Sequence, residues 1–474
     1  MDRVERVEQA DIEVAQVHGT ILLVSSILTI IIIHLTNEVT QSENSLRNMP
    51  QGGALMDQQT TSNAIADPKT YGDPSKMYAL FERLRREEPV RWCEPEGYRP
   101  FWAIARHAEI MEIERQPDLF ISAPRTALRT FAQEENIRKM TGSYQMVRTL
   151  LQMDPPDHRK YRALSQAWFM PGKLRSLEPA MKRLAGEFID RMESLDGNCD
   201  FAKDIASLYP LRAILQILGV PPEDEPMVLK LTQQFFAGTD PSTFDEDNEE
   251  TDITSAAAQL FPYFNEKVAE RRKEPKNDLF TLLADAEVDG QPISDFERNS
   301  YFFIVAVAGH DTTSLTMASF MHALVEHPDQ LRRLQENPAL LEDAINEAVR
   351  WASPVFHFMR TATADYEIGG KTIRKDDSIM LLYPSANRDE SVFEAPEEFR
   401  IDRQPNRHVG FGYGPHLCLG QHFAKLELRM FFGQLLPRLR EVSLDGEPQW
   451  LETNFVGGLK TLPISYRLNT PELV

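Results

Sequence analysis

Residues 294–328 constrain this chain more than any other stretch. Ser294-Asp295-Phe296-Glu297 has capping-box spacing, in which a serine oxygen and a glutamate side chain each satisfy a free backbone amide at a helix start. Helix-compatible residues then run to His327, where Pro328 stops the pattern. At about 1.5 Å per residue such a helix is roughly 50 Å long, enough to cross a whole domain. Its middle, residues 302–308, is apolar on every side, so no face of it suits water. A helix of that kind must be the buried axis of a large helical body, and 474 residues at 42% hydrophobic content can supply one. Length alone suggests roughly three domains; the unbroken pattern around this axis argues for one.

Shorter signals surround it. Residues 74–88 have the helical period, with Met77, Leu80, Phe81 and Leu84 on one stripe. Residues 91–93 and 101–105 flank a turn-rich segment and predict a hairpin. Amphipathic helices are expected over 173–194, 209–218 and 227–236, a further helix over 339–351, and a last one over 418–436. Short strands are expected at 367–368, 372–373 and 379–382, and a hairpin-like region closes the chain. The sum is a mainly α fold, a single large helical domain over residues 67–474 with a small peripheral β region. Residues 240–252 are acid-rich and predict a surface loop.

Residues 1–66 form an N-terminal extension. The apolar run at 20–35 is shorter than the roughly 20 residues a straight transmembrane helix needs. Acids precede it where a secretory signal carries positive charge. It is either a membrane tether or part of a non-native upstream extension with starts at Met49 or Met56. Residues 37–67 are expected to be a flexible linker.

The net charge of −21 argues against nucleic acid as a partner, because a phosphate backbone must be met by Lys and Arg. Cys93, Cys199 and Cys418 are odd in number, far apart and without a C-x-x-C pair. No disulfide framework follows, and a reducing, cytoplasmic setting is expected.

One of the three cysteines is singled out by its neighbours. In Phe411-Gly412-Tyr413-Gly414-Pro415-His416-Leu417-Cys418-Leu419-Gly420, the glycines permit a tight turn and close approach of the backbone to a flat ligand. Cys418 then stands at the expected helix start, where free amides and the positive dipole end favour a thiolate. A thiolate in that setting suits an axial haem ligand that donates electron density. Two other accounts remain open on the residues alone. A lone cysteine is by default a buried small hydrophobe, and His416, Cys418 and His422 could also make a transition-metal site. Neither gives the glycine spacing a purpose.

The segment matches, at every fixed position, the F-G-x-G-x-H-x-C-x-G haem-binding signature of the cytochrome P-450 family, and Ala424 fits its extension. The resemblance covers about residues 70–474. It is strongest to the soluble bacterial branch, among terpineol-hydroxylating and aromatic-oxidising members, through residues 383–389, 405–408 and 454–458. It implies haem b with Cys418 as axial thiolate on the iron, in a loop shaped by Phe411, Gly412, Gly414 and Gly420. It implies propionate partners at His158, Arg162, Arg360 and His416. Glu347-Ala348-Val349-Arg350 resembles the family's E-x-x-R. At i, i+3 the two charges can pair on one helix face, and Arg403 would turn the pair into a buried triad that locks the Cys loop. Asp311 and Thr312, poor residues for a helix interior without a role, correspond to the acid–alcohol pair that delivers protons to dioxygen. The alternative is a polar patch bonded to its own preceding turn.

By the same resemblance, Val355, Phe356, Phe358, Phe455 and Val456 line a pocket for a small apolar substrate, a terpenoid or an aromatic hydrocarbon. Electrons come from NAD(P)H through a reductase and an iron–sulfur ferredoxin, with His422, Lys425 and Arg429 as a basic docking face. Three rival readings keep their place: a peroxide-driven enzyme, a non-enzymatic haem-thiolate sensor or carrier, and a membrane-tethered helical interaction protein.

Overall fold

A computed structural model of the chain describes residues 58–145, 147–228, 230–231 and 253–469. The apolar run at 20–35, most of the expected linker and the acidic stretch at 240–252 lie outside the described residues.

The long helix is Asp295–Glu326. Ser294 Oγ accepts from the Glu297 amide at 3.2 Å and Glu297 Oε2 accepts from the Ser294 amide at 3.1 Å, so both halves of the capping box form. Phe302, Phe303 and Ala306 are fully buried, as an all-round apolar surface requires. Pro328 ends this helix and opens the next, Pro328–Glu336, where its missing N–H costs nothing. Packed around the axis are Tyr209–Leu218, Ile253–Lys273, Leu341–Ala352 and the last helix, Gln421–Leu435.

The main sheet lies to one side. Its five strands run in the order Val90–Cys93, Phe101–Ile104, Ser378–Leu382, His357–Ala362 and Phe120–Ile121. The first pair is the expected hairpin, and Ser378–Leu382 joins Phe101–Ile104 in parallel. Tyr366–Ile368 and Lys371–Ile373 pair as a separate hairpin, and a three-stranded sheet gathers Leu439–Leu444, Pro463–Leu468 and Asn198–Asp200. Helices dominate and the sheets are small. Among the described residues no helix is long and apolar enough to cross a membrane.

Three expectations need correction. The linker does not extend to residue 67: Gln58–Ala66 is helical, with Ile65 fully buried and the Asn454 side chain donating to Ala66 O at 2.7 Å. The helix expected over 173–194 is split into Pro171–Leu174 and Glu178–Ser194, because Pro179 belongs to the first turn of the second piece. The last helix starts at Gln421 and not at Cys418, whose amide donates instead to Phe411 O at 2.8 Å and closes the loop.

Candidate active site

A cavity of about 290 Å³ lies between the Cys418 loop and the middle of the long helix. Phe411, Gly412, His416, Cys418 and Gly420 form its floor, and Val305, Ala308, Gly309 and Thr312 form its roof. The floor depends on backbone geometry. Gly412 and Gly414 have φ of +70° and +66°, a region costly for side-chain-bearing residues. A Cβ on Gly414 would stand 2.2 Å from Glu114 O, so the loop packs there backbone against backbone. Gly414 therefore shapes the floor from below and does not line the cavity.

Cys418 carries a free thiol facing this space. Burial pushes the thiol up, while the Gly420 and Gln421 amides and the Arg162 guanidinium pull against it. The amides that were expected to make a thiolate do not outweigh burial.

One end of the cavity gathers the four predicted cationic groups. His158 and Arg162 project from the helix Asp157–Gln166, Arg360 from the strand His357–Ala362, and His416 from the Cys loop. The two imidazoles stand close, with centroids 4.1 Å apart and planes tilted by 35°. Burial pushes His158 down to about 4 and His416 down to about 2, and Arg162 and Arg360 reinforce both shifts. Arg162 donates to Leu417 O at 2.7 Å, and Arg360 reaches Glu114 Oε1 at 3.2 Å. Tyr383 OH donates to the same Glu114 oxygen at 2.8 Å, and burial lifts that carboxyl to about 6. Two guanidiniums, of which Arg360 alone pairs with the single carboxylate Glu114, stand beside two neutral imidazoles that can each donate one N–H, so the cluster is built for anions that the chain does not provide.

On the roof, Thr312 lines the cavity and its hydroxyl donates to Ala308 O at 3.0 Å. Both accounts of this residue therefore hold: it bonds to its own preceding turn and faces the site. Asp311 does not line the cavity. It faces His310, whose Nε2–H donates to Ser207 O at 2.7 Å, leaving Nδ1 3.0 Å from Asp311 Oδ1. Among the described residues neither that Nδ1 nor Asp311 Oδ2 has a hydrogen-bond partner. Burial pushes the Asp311 carboxyl up.

Glu347 and Arg350 are fully buried and doubly bonded, with both contacts at 2.7 Å. Arg403 Nε meets both Glu347 oxygens at 3.1 Å, completing the triad. Sequence reasoning missed two further donors to the same carboxylate, the Arg400 amide at 2.9 Å and Asn406 Nδ2 at 3.1 Å. Arg350 and Arg403 also tie down the carbonyls of Asn387, Pro396, Glu398, Glu394 and Ala395, the chain leading to the Cys loop; the Arg403–Glu394 contact is close.

Of the pocket candidates, Val355, Phe358, Phe455 and Val456 line the cavity, and Val355 and Val456 form a β-bridge. Phe356 does not: it is buried on the other side, stacked on Tyr71 at 5.1 Å. Phe356 lies just ahead of the strand His357–Ala362, in which Phe358 and Arg360 share the cavity-facing side. Sequence reasoning also missed Glu427, a fully buried cavity-lining carboxyl that burial pushes well above its ordinary range. Its signal was present, an acid at i+4 from Phe423 and i−4 from Phe431 on the apolar stripe of the last helix.

The cytochrome P450 family model matches residues 98–468. The chain is 43% identical over 408 residues to cytochrome P450-terp from Pseudomonas sp., covering 84% of this chain and 95% of that protein. The chain belongs to the cytochrome P450 family. It is also 35% identical to linalool 8-monooxygenase of Pseudomonas putida, over 81% of this chain and 94% of the relative. The crystal structure of CYP108D1 from Novosphingobium aromaticivorans superposes with a TM-score of 0.82 at 39% identity, covering 88% of this chain and all of that one. As a cytochrome P450 the protein is a monooxygenase that uses haem b, with a cysteine thiolate on the iron. The residues present fit that group: a free thiol on the cavity floor, glycines that keep the floor flat, and an anion-deficient cationic cluster at one end for two carboxylates.

Proposed function

We propose that this cytochrome P450 hydroxylates a small, mainly apolar terpenoid or aromatic substrate, using dioxygen and electrons passed from NAD(P)H through a reductase and a ferredoxin. The observation that carries the reading is the apposition of Cys418 and Thr312 across one cavity whose wall includes Val355, Phe358, Phe455 and Val456. Haem, when bound, activates dioxygen so that one atom enters a C–H bond and the other leaves as water, consuming two electrons and two protons. The chain's own task is to hold substrate, exclude bulk water and supply those protons.

Thr312 Oγ1 can donate and accept, and so hands protons on within the cavity. Asp311 feeds it from the neighbouring position on the helix, its carboxyl pushed up by burial. His158, Arg162, Arg360 and His416 hold the haem carboxylates, and the Glu347–Arg350–Arg403 triad keeps the Cys418 loop in register. The substrate class is supported by the apolar wall and by a relative named for linalool. The ferredoxin is supported by His422 and Lys425 on the last helix. Arg429 contributes less to such a face, because it already pairs with Glu178 at 3.0 Å and Glu342 at 3.8 Å. Free cysteines agree with a cytoplasmic setting.

The test is turnover of linalool, 1,8-cineole and p-cymene by the haem protein with NADH or NADPH, a reductase and a ferredoxin, under labelled dioxygen. The expected product carries one labelled oxygen per consumed NAD(P)H, and omitting the ferredoxin stops it. Product formed from peroxide alone at the same rate, or spin-state shifts without any product, would overturn the reading.

A further inference from the structure

Arg129 lines the cavity, on the segment just ahead of the helix Phe131–Thr141. Among the described residues no hydrogen bond or ion pair reaches its guanidinium. The nearest acid it feels, Glu134, is already taken, accepting from Arg99 Nε at 2.7 Å and from Arg125 Nε at 2.6 Å. The two cavity-lining carboxyls do not serve it either. Glu114 is engaged by Arg360 and Tyr383, and Glu427 is held toward its neutral form by burial.

The segment that presents Arg129 is held firmly. The Met359 amide donates to Thr126 O at 2.9 Å. The Leu128 amide donates to His357 Nε2 at 2.9 Å, which leaves that nitrogen bare and puts the ring proton on Nδ1. Nδ1–H in turn donates to Asn454 O at 2.7 Å. His357 is therefore neutral and links the Arg129 segment to the two segments carrying Phe358 and Phe455, whose rings lie 5.7 Å apart. This is the substrate wall. His158 and Arg162 of the haem cluster stand on the helix Asp157–Gln166 and His416 on the Cys loop, whereas Arg129 stands on the segment bonded to His357.

A guanidinium drawn from water without a counter-charge is costly, and a ligand carboxylate that meets its planar fork offsets that cost with two parallel hydrogen bonds. We propose that Arg129 is a carboxylate-binding group in the substrate wall, so that the preferred substrate is a terpenoid- or aromatic-sized acid and not the parent hydrocarbon. This deepens the monooxygenase reading of the same cavity and rests on it.

The experiment uses the full-length haem protein and follows the spin-state shift on titration with 4-isopropylbenzoate, its methyl ester and p-cymene, then with geranate and methyl geranate. The acids should bind roughly tenfold tighter than their esters, the scale of one charge-assisted contact. Arg129→Leu should abolish that preference, Arg129→Lys should keep part of it, and haem content and the ferrous–carbonyl spectrum should not change in either. Esters or hydrocarbon binding as tightly as the acids in the wild type would sink the proposal without any variant. Loss of haem in Arg129→Leu with the acid preference intact would also overturn it, by placing the guanidinium with the haem carboxylates. A wild type that binds none of the probes rejects the substrate reading underneath; one that takes esters and hydrocarbon but refuses acids rejects Arg129 alone.

Discussion

Thr312 and Asp311 are adjacent in sequence yet face different surroundings, one the cavity and the other His310. Their variants should therefore fail differently. Thr312→Ala should still bind substrate and consume NAD(P)H, but release mostly peroxide in place of hydroxylated product. Asp311→Asn should slow oxygen consumption itself and enlarge the solvent isotope effect. Product, peroxide and NAD(P)H measured together decide this; tight coupling in the first with wild-type turnover in the second removes the pair from proton delivery. Glu347 illustrates a different use of charge. Deleting Arg350 takes the two shortest contacts from a fully buried carboxylate, leaving Arg403 as its one cation, and takes their guanidinium donor from the Asn387 and Pro396 carbonyls, at a cost of roughly 3–5 kcal/mol, a large share of an ordinary domain's stability. Arg350→Ala should yield little soluble haem protein, and a stable, fully haem-loaded variant would contradict that structural role.

At the level of elements, function depends on how separate segments are joined. His357 is the clearest joint, because one neutral ring bonds the segment at Leu128 and the segment at Asn454. Its ordinary pKa of 6.5 is pushed down to about 4, first by burial and then by Arg129. A depressed pKa means that the unfolded chain takes up this proton before the folded one. The stability that His357 contributes is therefore whole above pH 6.5 and is lost as the pH falls through about 4. Its loss amounts to at most about 3 kcal/mol. Urea midpoints measured stepwise across that window should decline in the wild type, and the decline should be shallower in His357→Gln. An identical slope in both would assign the acid sensitivity to other groups.

For the whole molecule, the question is where the catalytic unit begins. We take the unit to start at Gln58, since the helix Gln58–Ala66 buries Ile65 and binds the Asn454 side chain, next to cavity-lining Phe455. Two truncations separate the possibilities. Removal of residues 1–56 should leave haem content and turnover nearly unchanged, whereas removal of residues 1–66 should lower the thermal midpoint and weaken substrate binding. If the shorter deletion already unfolds the protein, the extension is part of the fold. If full-length protein sediments with membranes and the shorter deletion does not, the 20–35 run is a tether.

Local physics made much of this legible in the sequence. The long helix, its cap, the Tyr209–Leu218 helix and the first hairpin follow from period, capping and turn residues that act within a few positions of each other. The Cys418 loop was legible because a tight turn under a flat ligand demands glycine at set spacings. Other features depended on residues brought together from far along the chain. Glu114 meets Arg360 across 246 positions, and Asn406 meets Glu347 across 59. The helix Ile253–Lys273 escaped notice because Pro262 interrupts its pattern and its burial is set by neighbours such as Phe280 and Phe302. Phe356 turns away from the pocket because Tyr71, far off in sequence, offers its ring a stacking partner there. A sequence shows which charges exist; only the tertiary structure decides which of them are answered, because pairing depends on distance in space. Arg129 was one more surface-like arginine until the fold gave Glu134 to two other cations and left it facing the cavity.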